Sequence, residues 1–169
     1  MCNFLSALVL KNGDVLTHPM LDSHADLVRY FKAPDTNAYI HRFAKVELVP
    51  VDWTDPSTWQ WTVDENVLPS WWHEVAVSAE RTLRARAASM ILRDGTHSLI
   101  VDGCWIVGGT ADVSDVRAGR IVHVGGSATI RGVGGSATIW DVGGSATIRD
   151  VGGSALLDAS AKDHVMKVG

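Results

Sequence analysis

The stretch VGGSATIRGVGGSATIWDVGGSATIRDVGGSALLD, from Val124 to Asp158, repeats one nine-residue unit four times. Each unit begins with Val-Gly-Gly and continues with Ser-Ala-Thr-Ile or, in the last copy, Ser-Ala-Leu-Leu. Self-similarity at a fixed period indicates a solenoid, in which each unit buries its apolar side chains only against its neighbours. This repeat therefore decides the architecture of the second half of the chain.

Degenerate copies extend upstream of the clear ones. The core triplets of the repeat, taken backwards from the last copy, are Ala155-Leu156-Leu157, Ala146-Thr147-Ile148, Ala137-Thr138-Ile139, Ala128-Thr129-Ile130, Arg120-Ile121-Val122, Ala111-Asp112-Val113 and Cys104-Trp105-Ile106. The steps between them are nine, nine, nine, eight, nine and seven residues. The repeat therefore decays towards the first half of the chain.

An antiparallel meander is the alternative, because Gly-Gly is a good two-residue hairpin loop. Alternation in a meander would place Ala, Ile and Asp on one face and Ser, Thr, Arg and Val on the other, so that neither face is apolar. A solenoid that bends after the isoleucine turns Ala, Ile and Val inward together. We therefore predict a parallel β-solenoid and leave the number of repeats per coil open: two would stack Arg131 over Arg149, and three would give a triangular coil.

The composition of the chain changes near residue 95. All five prolines lie at or before Pro69, whereas fourteen of the sixteen glycines lie at or after Gly103. We predict an α+β head domain over residues 1–95, fused to a C-terminal parallel β-solenoid of nine-residue repeats over residues 96–169. The final SAKDHVMKVG has no repeat and is predicted to be a polar C-terminal cap.

The head mixes strands and helices. Strands are predicted at Phe4 to Leu10, at Val15 to Thr17 after a turn, and in the alternating segments FAKVELVPV and WQWTV. A short helix should follow Ser23, with Asp26 completing a weak capping box. A longer helix should begin at Ser70, with an apolar stripe from Trp72 to Met90, and end at Asp94-Gly95.

The length, composition and net charge of the chain limit the functional classes to which it can belong. With 169 residues, 46% of them hydrophobic, the chain can bury a core. A net charge of -4 offers no positive field to a phosphate backbone, so we expect no nucleic-acid partner. The N-terminus lacks a basic region and turns polar too soon to span a bilayer, so we expect no membrane partner. Cys2 and Cys104 are typical of reduced thiols, which together with the missing signal indicates a cytoplasmic location.

Cys2 and His24 form the candidate catalytic pair. Removal of Met1 would leave the thiol and the free amine of Cys2 together, as in N-terminal-nucleophile amidohydrolases, and His24 or that amine could act as the base. The simpler interpretation of Cys2 is an ordinary small residue at the start of an edge strand. The consecutive Asp22, Ser23 and His24 are better explained as a helix start than as a catalytic triad, which is assembled in space. An enzymatic role is therefore the alternative and not the leading hypothesis.

No cofactor or metal motif is present. The seven histidines show none of the spacings typical of metal sites, and no Gly-Gly pair belongs to a GxxxxGK[ST] loop. We therefore predict no cofactor and no metal.

Five tryptophans, Trp53, Trp59, Trp61, Trp71 and Trp72, lie within twenty residues. They could form an aromatic platform for a small ligand, and a ligand-sequestering protein is one hypothesis. The core between sheet and helix is the favoured interpretation. In either case we expect Trp71 or Trp72 to point away from the buried stripe of its helix.

The segments MCNFLSALVLKNGDVL, LDSHADL, AKVELVP, WQWTVDE and LPSWW resemble the opening region of small uncharacterised proteins of tailed phages and related actinobacterial genomes, some of which end in GSAT-type repeats. The resemblance implies the setting of a viral accessory or virion-associated protein, and it transfers no catalytic residue to this chain.

These observations together favour a non-enzymatic structural or interaction protein in the host cell. The solenoid would be a rigid stem and a self-association surface that forms a homo-oligomer, and another virion or host protein could be a partner. The predicted interface anchors are Trp140, Arg131 and Arg149 on the solenoid, with Trp71 or Trp72 on the head, because Trp and Arg are common interface anchors.

Overall fold

The computed structural model describes residues 4–33, 42–158 and 165–166. The chain divides into two compact units, Met1–Ser89 and Met90–Gly169. The division lies a few residues before the boundary expected at residue 95, because the first strands of the solenoid begin directly after it.

The head is built on a four-stranded antiparallel sheet. Its strands are β1 (Leu5–Leu10), β2 (Val15–Leu16), β3 (Phe43–Val49) and β4 (Gln60–Val63). They lie in the order β2-β1-β3-β4 across the sheet. The turn between β1 and β2 contains Gly13 at φ 88°, a conformation that glycine adopts without steric cost. The predicted hairpin and the two alternating strands are confirmed.

Helix α1 (His24–Tyr30) covers one face of this sheet. Its Leu27 is fully buried in a cluster with Leu8 of β1 and Phe43 of β3. Ser23 precedes the helix as predicted, but its side chain makes no capping hydrogen bond, and Asp26 pairs with Arg29 instead. The predicted capping box is therefore wrong, because its acidic member is engaged within the helix.

Helix α2 (Trp72–Ser89) contacts β1, β2 and β3. Its buried side is the stripe predicted from the sequence: Trp72, Val75, Ala79, Leu83 and Ala87. The helix ends at Ser89 and not at the predicted Asp94-Gly95, since the chain then becomes extended and pairs as the first strand of the solenoid. No helix in the described parts of the chain is long and apolar enough to cross a membrane.

The second unit is a parallel β-solenoid, as predicted. Alternate strands form two five-stranded parallel sheets. Sheet I has the order β13-β11-β9-β7-β5 and comprises β5 (Ile91–Leu92), β7 (Cys104–Val107), β9 (Arg120–Val124), β11 (Thr138–Val142) and β13 (Leu156–Leu157). Sheet II has the order β14-β12-β10-β8-β6 and comprises β6 (Thr96–His97), β8 (Asp112–Val113), β10 (Thr129–Ile130), β12 (Thr147–Arg149) and β14 (Val165–Met166). Each of the seven predicted triplets overlaps one of the strands from β7 to β13.

Two repeats make one coil. Thr129 pairs with Thr147 in sheet II and Thr138 with Leu156 in sheet I, each partner lying eighteen residues further along the chain. The third point of each coil is a single bridge, in a column of Ile100, Val116, Val133 and Val151. Successive nine-residue repeats therefore lie on different sheets, and repeats of the same sheet stack.

The interior of the solenoid is filled by the predicted Ala, Ile and Val of the repeats that precede the last one. The inward column on sheet I runs Trp105, Ile121, Ile139 and Leu157, so it becomes uniform only in the later coils. Fully buried examples are Ala128, Ala137, Ile121, Ile130, Ile139, Ile148, Val113, Val116 and Val124. The polar cap predicted for residues 160–169 lies outside the described residues, apart from the backbone of β14, which pairs with β12.

The second glycine of each Gly-Gly pair sits at a corner where two coils almost touch. Gly135 has φ 58°, and a Cβ built on it would lie 2.1 Å from the carbonyl oxygen of Arg117 in the preceding coil. Gly126 repeats this arrangement, with φ 64° and a Cβ position 2.7 Å from the carbonyl oxygen of Gly109. The repeat needs glycine here for both its backbone conformation and the close approach of the coils.

The first prediction compares Gly135→Ala with Gly143→Ala. Alanine at 135 should lower the free energy of unfolding by at least about 2 kcal/mol, since it adds left-handed strain to a backbone clash. Gly143 has open space around its Cβ position and a φ outside the left-handed region, so Gly143→Ala should change stability by less than about 1 kcal/mol. Urea unfolding followed by circular dichroism measures both, and equal losses would contradict this explanation of the corner.

Candidate functional site

The predicted solenoid anchors lie on two different faces. Arg131 directly follows β10 and Arg149 ends β12, and these two strands of sheet II are neighbours in register. Trp140 occupies the same position of the repeat but belongs to β11 of sheet I. Because consecutive repeats alternate between sheets, the fold brings the two arginines together and separates them from the tryptophan.

Arg131 and Arg149 lie in adjacent coils of sheet II, and Asp112, whose register partner is Thr129, lies in the coil before them. Arg131 Nε donates a hydrogen bond to Asp112 Oδ1 at 2.8 Å, and a second bond joins Arg131 Nη2 to Asp112 Oδ2. This hydrogen bonding is the main reason that the pKa of Asp112 lies below its ordinary value, and the charges of Arg131 and Arg149 lower it further. Arg131 thus joins two coils through its hydrogen bonds to Asp112, and both Arg131 and Arg149 are exposed.

The tryptophan face consists of Trp140, Arg120 and Leu156 on sheet I. The Trp140 side chain is 47% exposed, and the guanidinium of Arg120, from the adjacent coil, lies 3.9 Å from the centre of its ring. Leu156 in the next coil is 67% exposed. The cation stacked on the Trp140 ring fixes its orientation, and Leu156, whose register partner is Thr138, is exposed on the same sheet; exposed large side chains of this kind anchor interfaces.

A histidine–carboxylate pair also lies on sheet I. His123 Nδ1 of β9 is 2.7 Å from Asp141 Oδ2 of β11, one coil further on. Like the Asp112–Arg131 pair, this contact links neighbouring coils. Polar contacts between coils therefore support the strand ladders on both sheets.

The prediction that Trp71 or Trp72 is an exposed head anchor is wrong. Their exposed fractions are 5% and 8%. Trp71 lies before the first residue of α2 and so escapes the helical spacing that would have turned it outward, while Trp72 stacks on Trp61 with ring centres 6.4 Å apart. Trp59 is also buried, whereas Trp53 and Trp61 are half-buried, so three of the five tryptophans belong to the core.

His24 lies in a polar cluster within the head. Its Nε2 is 3.0 Å from the carbonyl oxygen of Val46, and its Nδ1 is 3.2 Å from Asp64 Oδ2 and 3.8 Å from Glu47 Oε1. We call His24, Glu47 and Asp64 the head cluster. The sequence carries little sign of it, because the three residues come from α1, from β3 and from the position directly after β4. In addition, the alternation of β3 places Glu47 on the side expected to face water.

Cys2, the candidate nucleophile, lies outside the described residues, so its pairing with His24 stays a prediction. His24 itself is buried, with both ring nitrogens directed at groups of the head. Cys104 is a buried thiol on β7.

No protein family, curated protein or solved structure matches this chain. The geometry of the two faces and of the head cluster is therefore the basis for any functional conclusion.

The second prediction concerns the Asp112–Arg131 pair. Since the pKa of Asp112 is lowered in the folded protein, the pair stabilises the fold above the ordinary aspartate pKa, and this contribution disappears as the pH falls through the lowered value. Arg131→Gln should therefore be less stable than the wild type at neutral pH, and the difference should shrink progressively below about pH 4.

Arg149→Gln is the matched control, since Arg149 acts on Asp112 through its charge without the two hydrogen bonds. It should change stability less than Arg131→Gln at neutral pH. Thermal unfolding from pH 7 to pH 2 measures these effects. A pH-independent loss in Arg131→Gln would show that packing, and not the ion pair, joins these coils.

Proposed function

We propose that this protein is a non-enzymatic structural or interaction protein, in which the β-solenoid is both a rigid stem and the surface through which copies of the chain associate. The observation that carries the proposal is the tryptophan face. Trp140 is half exposed although its ring is already ordered by Arg120. An ordered ring loses little conformational entropy on binding, so its burial by a partner contributes more to affinity.

A second copy of the same chain is the occupant that fits this face. Leu156 belongs to β13, the terminal strand of sheet I, so its exposed side chain lies beside a strand edge that ends the described ladder. A copy packed side by side against the tryptophan face would bury both Leu156 and Trp140, and a two-fold axis would bring the same residues of both copies together.

The resemblance of the sequence to tailed-phage proteins supports this role. A stem of stacked coils keeps its assembly surface rigid. The head would then be available to another virion or host protein in the cytoplasm of the host. Trp140 and Leu156 take the role of anchors, with Arg120 as a positioning residue, whereas Arg131 and Arg149 lie on sheet II and outside this face.

The third prediction tests self-association directly. Trp140→Lys should convert a defined oligomer into a species of lower mass, because it places a charge in the apolar centre of the interface. Light scattering coupled to size exclusion measures the mass of each variant at several concentrations. Circular dichroism establishes that the substituted chain remains folded.

Val77→Lys is the matched control, since Val77 is a 71% exposed apolar residue on α2 of the head. It should leave the mass unchanged. A monomeric wild type, or an oligomer that survives Trp140→Lys intact, would contradict self-association through this face.

A further inference from the structure

The head cluster surrounds one imidazole with oxygen atoms. Nε2 of His24 faces the carbonyl oxygen of Val46, which can only accept a hydrogen bond, so Nε2 carries a proton. Nδ1 faces the carboxylates of Asp64 and Glu47, at 3.2 Å and 3.8 Å. The ring is therefore fixed by a backbone carbonyl on one side and directed at two carboxylates on the other.

His24 cannot donate a hydrogen bond to both carboxylates at once. If Nδ1 were protonated, its single hydrogen would serve Asp64, the nearer acceptor, and the 3.8 Å separation from Glu47 is too long for a hydrogen bond. If Nδ1 were not protonated, its lone pair would face two anions. In neither state does His24 donate a hydrogen bond to Glu47.

Glu47 is the more demanding member of the cluster, because its side chain is only 10% exposed. Within the described residues, His24 Nδ1 is the one charged or polar group that contacts its carboxylate. Ser6, which lies opposite Glu47 on β1, donates its hydroxyl hydrogen to the carbonyl oxygen of Asp22 at 2.6 Å. No donor in the part of the chain that the structure describes forms a hydrogen bond with this largely buried carboxylate, which favours an ion or water at the site.

We propose that the head cluster binds a divalent transition-metal ion through His24 Nδ1 and one carboxylate oxygen each of Glu47 and Asp64. The three ligand atoms lie within 4.8 Å of one another. Metal bonds of about 2.0–2.2 Å require ligand atoms about 3–4 Å apart, so small side-chain movements complete the site. One cation would neutralise both carboxylates and meet the Nδ1 lone pair.

The ligand set selects the class of ion. One imidazole nitrogen with two carboxylate oxygens suits Zn²⁺, Mn²⁺ or Co²⁺ better than Ca²⁺ or Mg²⁺, which prefer oxygen ligands alone. The hydrogen bond from Nε2 to Val46 holds the ring with Nδ1 available, as the outer partners of metal-ligating histidines do. Sequence spacing does not reveal this site, because its ligands are contributed by three separate elements.

The surroundings make the site accessible. Asp64 is 63% exposed, so an ion can enter from solvent on that side. Its position is fixed by its backbone N–H, which donates to the carbonyl oxygen of Lys45 at 2.9 Å and extends the β3–β4 pairing. Three protein ligands leave at least one coordination position for water, in contrast to the four protein ligands of structural zinc sites.

The fourth prediction tests the site on the full chain after treatment with a chelator and its removal. Titration with ZnCl₂, MnCl₂ and CoCl₂ in a calorimeter should show one saturable site per chain for at least one of these ions, and the thermal midpoint should rise with its concentration. Titration with MgCl₂ should show much weaker binding. Nuclear magnetic resonance of the bound state should show the signal of His24 Nδ1 shifted and that of Nε2 still protonated.

Asp64→Asn is the decisive variant, because Asp64 is exposed and its replacement should not prevent folding. Its affinity for the ion should fall at least tenfold, since loss of even an outer partner of a ligand costs about 10–100-fold. Asp26→Asn, on the exposed side of α1, should bind as the wild type does. Absence of a saturable site, or binding that Asp64→Asn leaves unchanged, would overturn the proposal.

Discussion

The close stacking of backbone on backbone at the glycine corners determines the geometry of the solenoid. Parallel strands in adjacent coils lie about 4.8 Å apart, and every coil must keep that distance at its corners as well as along its strands. A side chain on Gly135 would meet the carbonyl of Arg117 before the coils could reach this spacing. The same spacing lets long outward side chains reach the next coil, as Arg131 reaches Asp112. The strand pairing, the inward columns and the contacts between coils all depend on this approach.

The solenoid could be predicted from the sequence because its determinants are local and periodic. The inward residues recur with the repeat, so counting the residues on each face is enough to distinguish a coil from a meander. The number of repeats per coil could not be predicted, since successive copies such as Ala128-Thr129-Ile130 and Ala137-Thr138-Ile139 are identical and only the bends between them assign each to its sheet. The start of the first coil could not be predicted either, because Ile91–Leu92 continues the apolar pattern of the preceding helix.

The head shows the opposite case. Its strands and helices follow from their periodicity, but the burial of Glu47 does not, because it depends on where α1 lies across the sheet. An alternating strand such as FAKVELV indicates one apolar face and says nothing about what covers the polar one. The head cluster forms because α1 lies across the polar face of β3. Its members are distant in sequence and share no motif.

The coil of two repeats has a consequence for how such a chain can change in length. Insertion of a single nine-residue unit upstream of Trp140 would move every downstream repeat to the other sheet, so that Trp140 and Arg149 would exchange faces. Insertion of two units would lengthen the stem by one coil, about 4.8 Å, and leave every outward residue on its original side. The sequence repeat is nine residues long, but only insertions or deletions of eighteen residues keep every outward side chain on its original sheet.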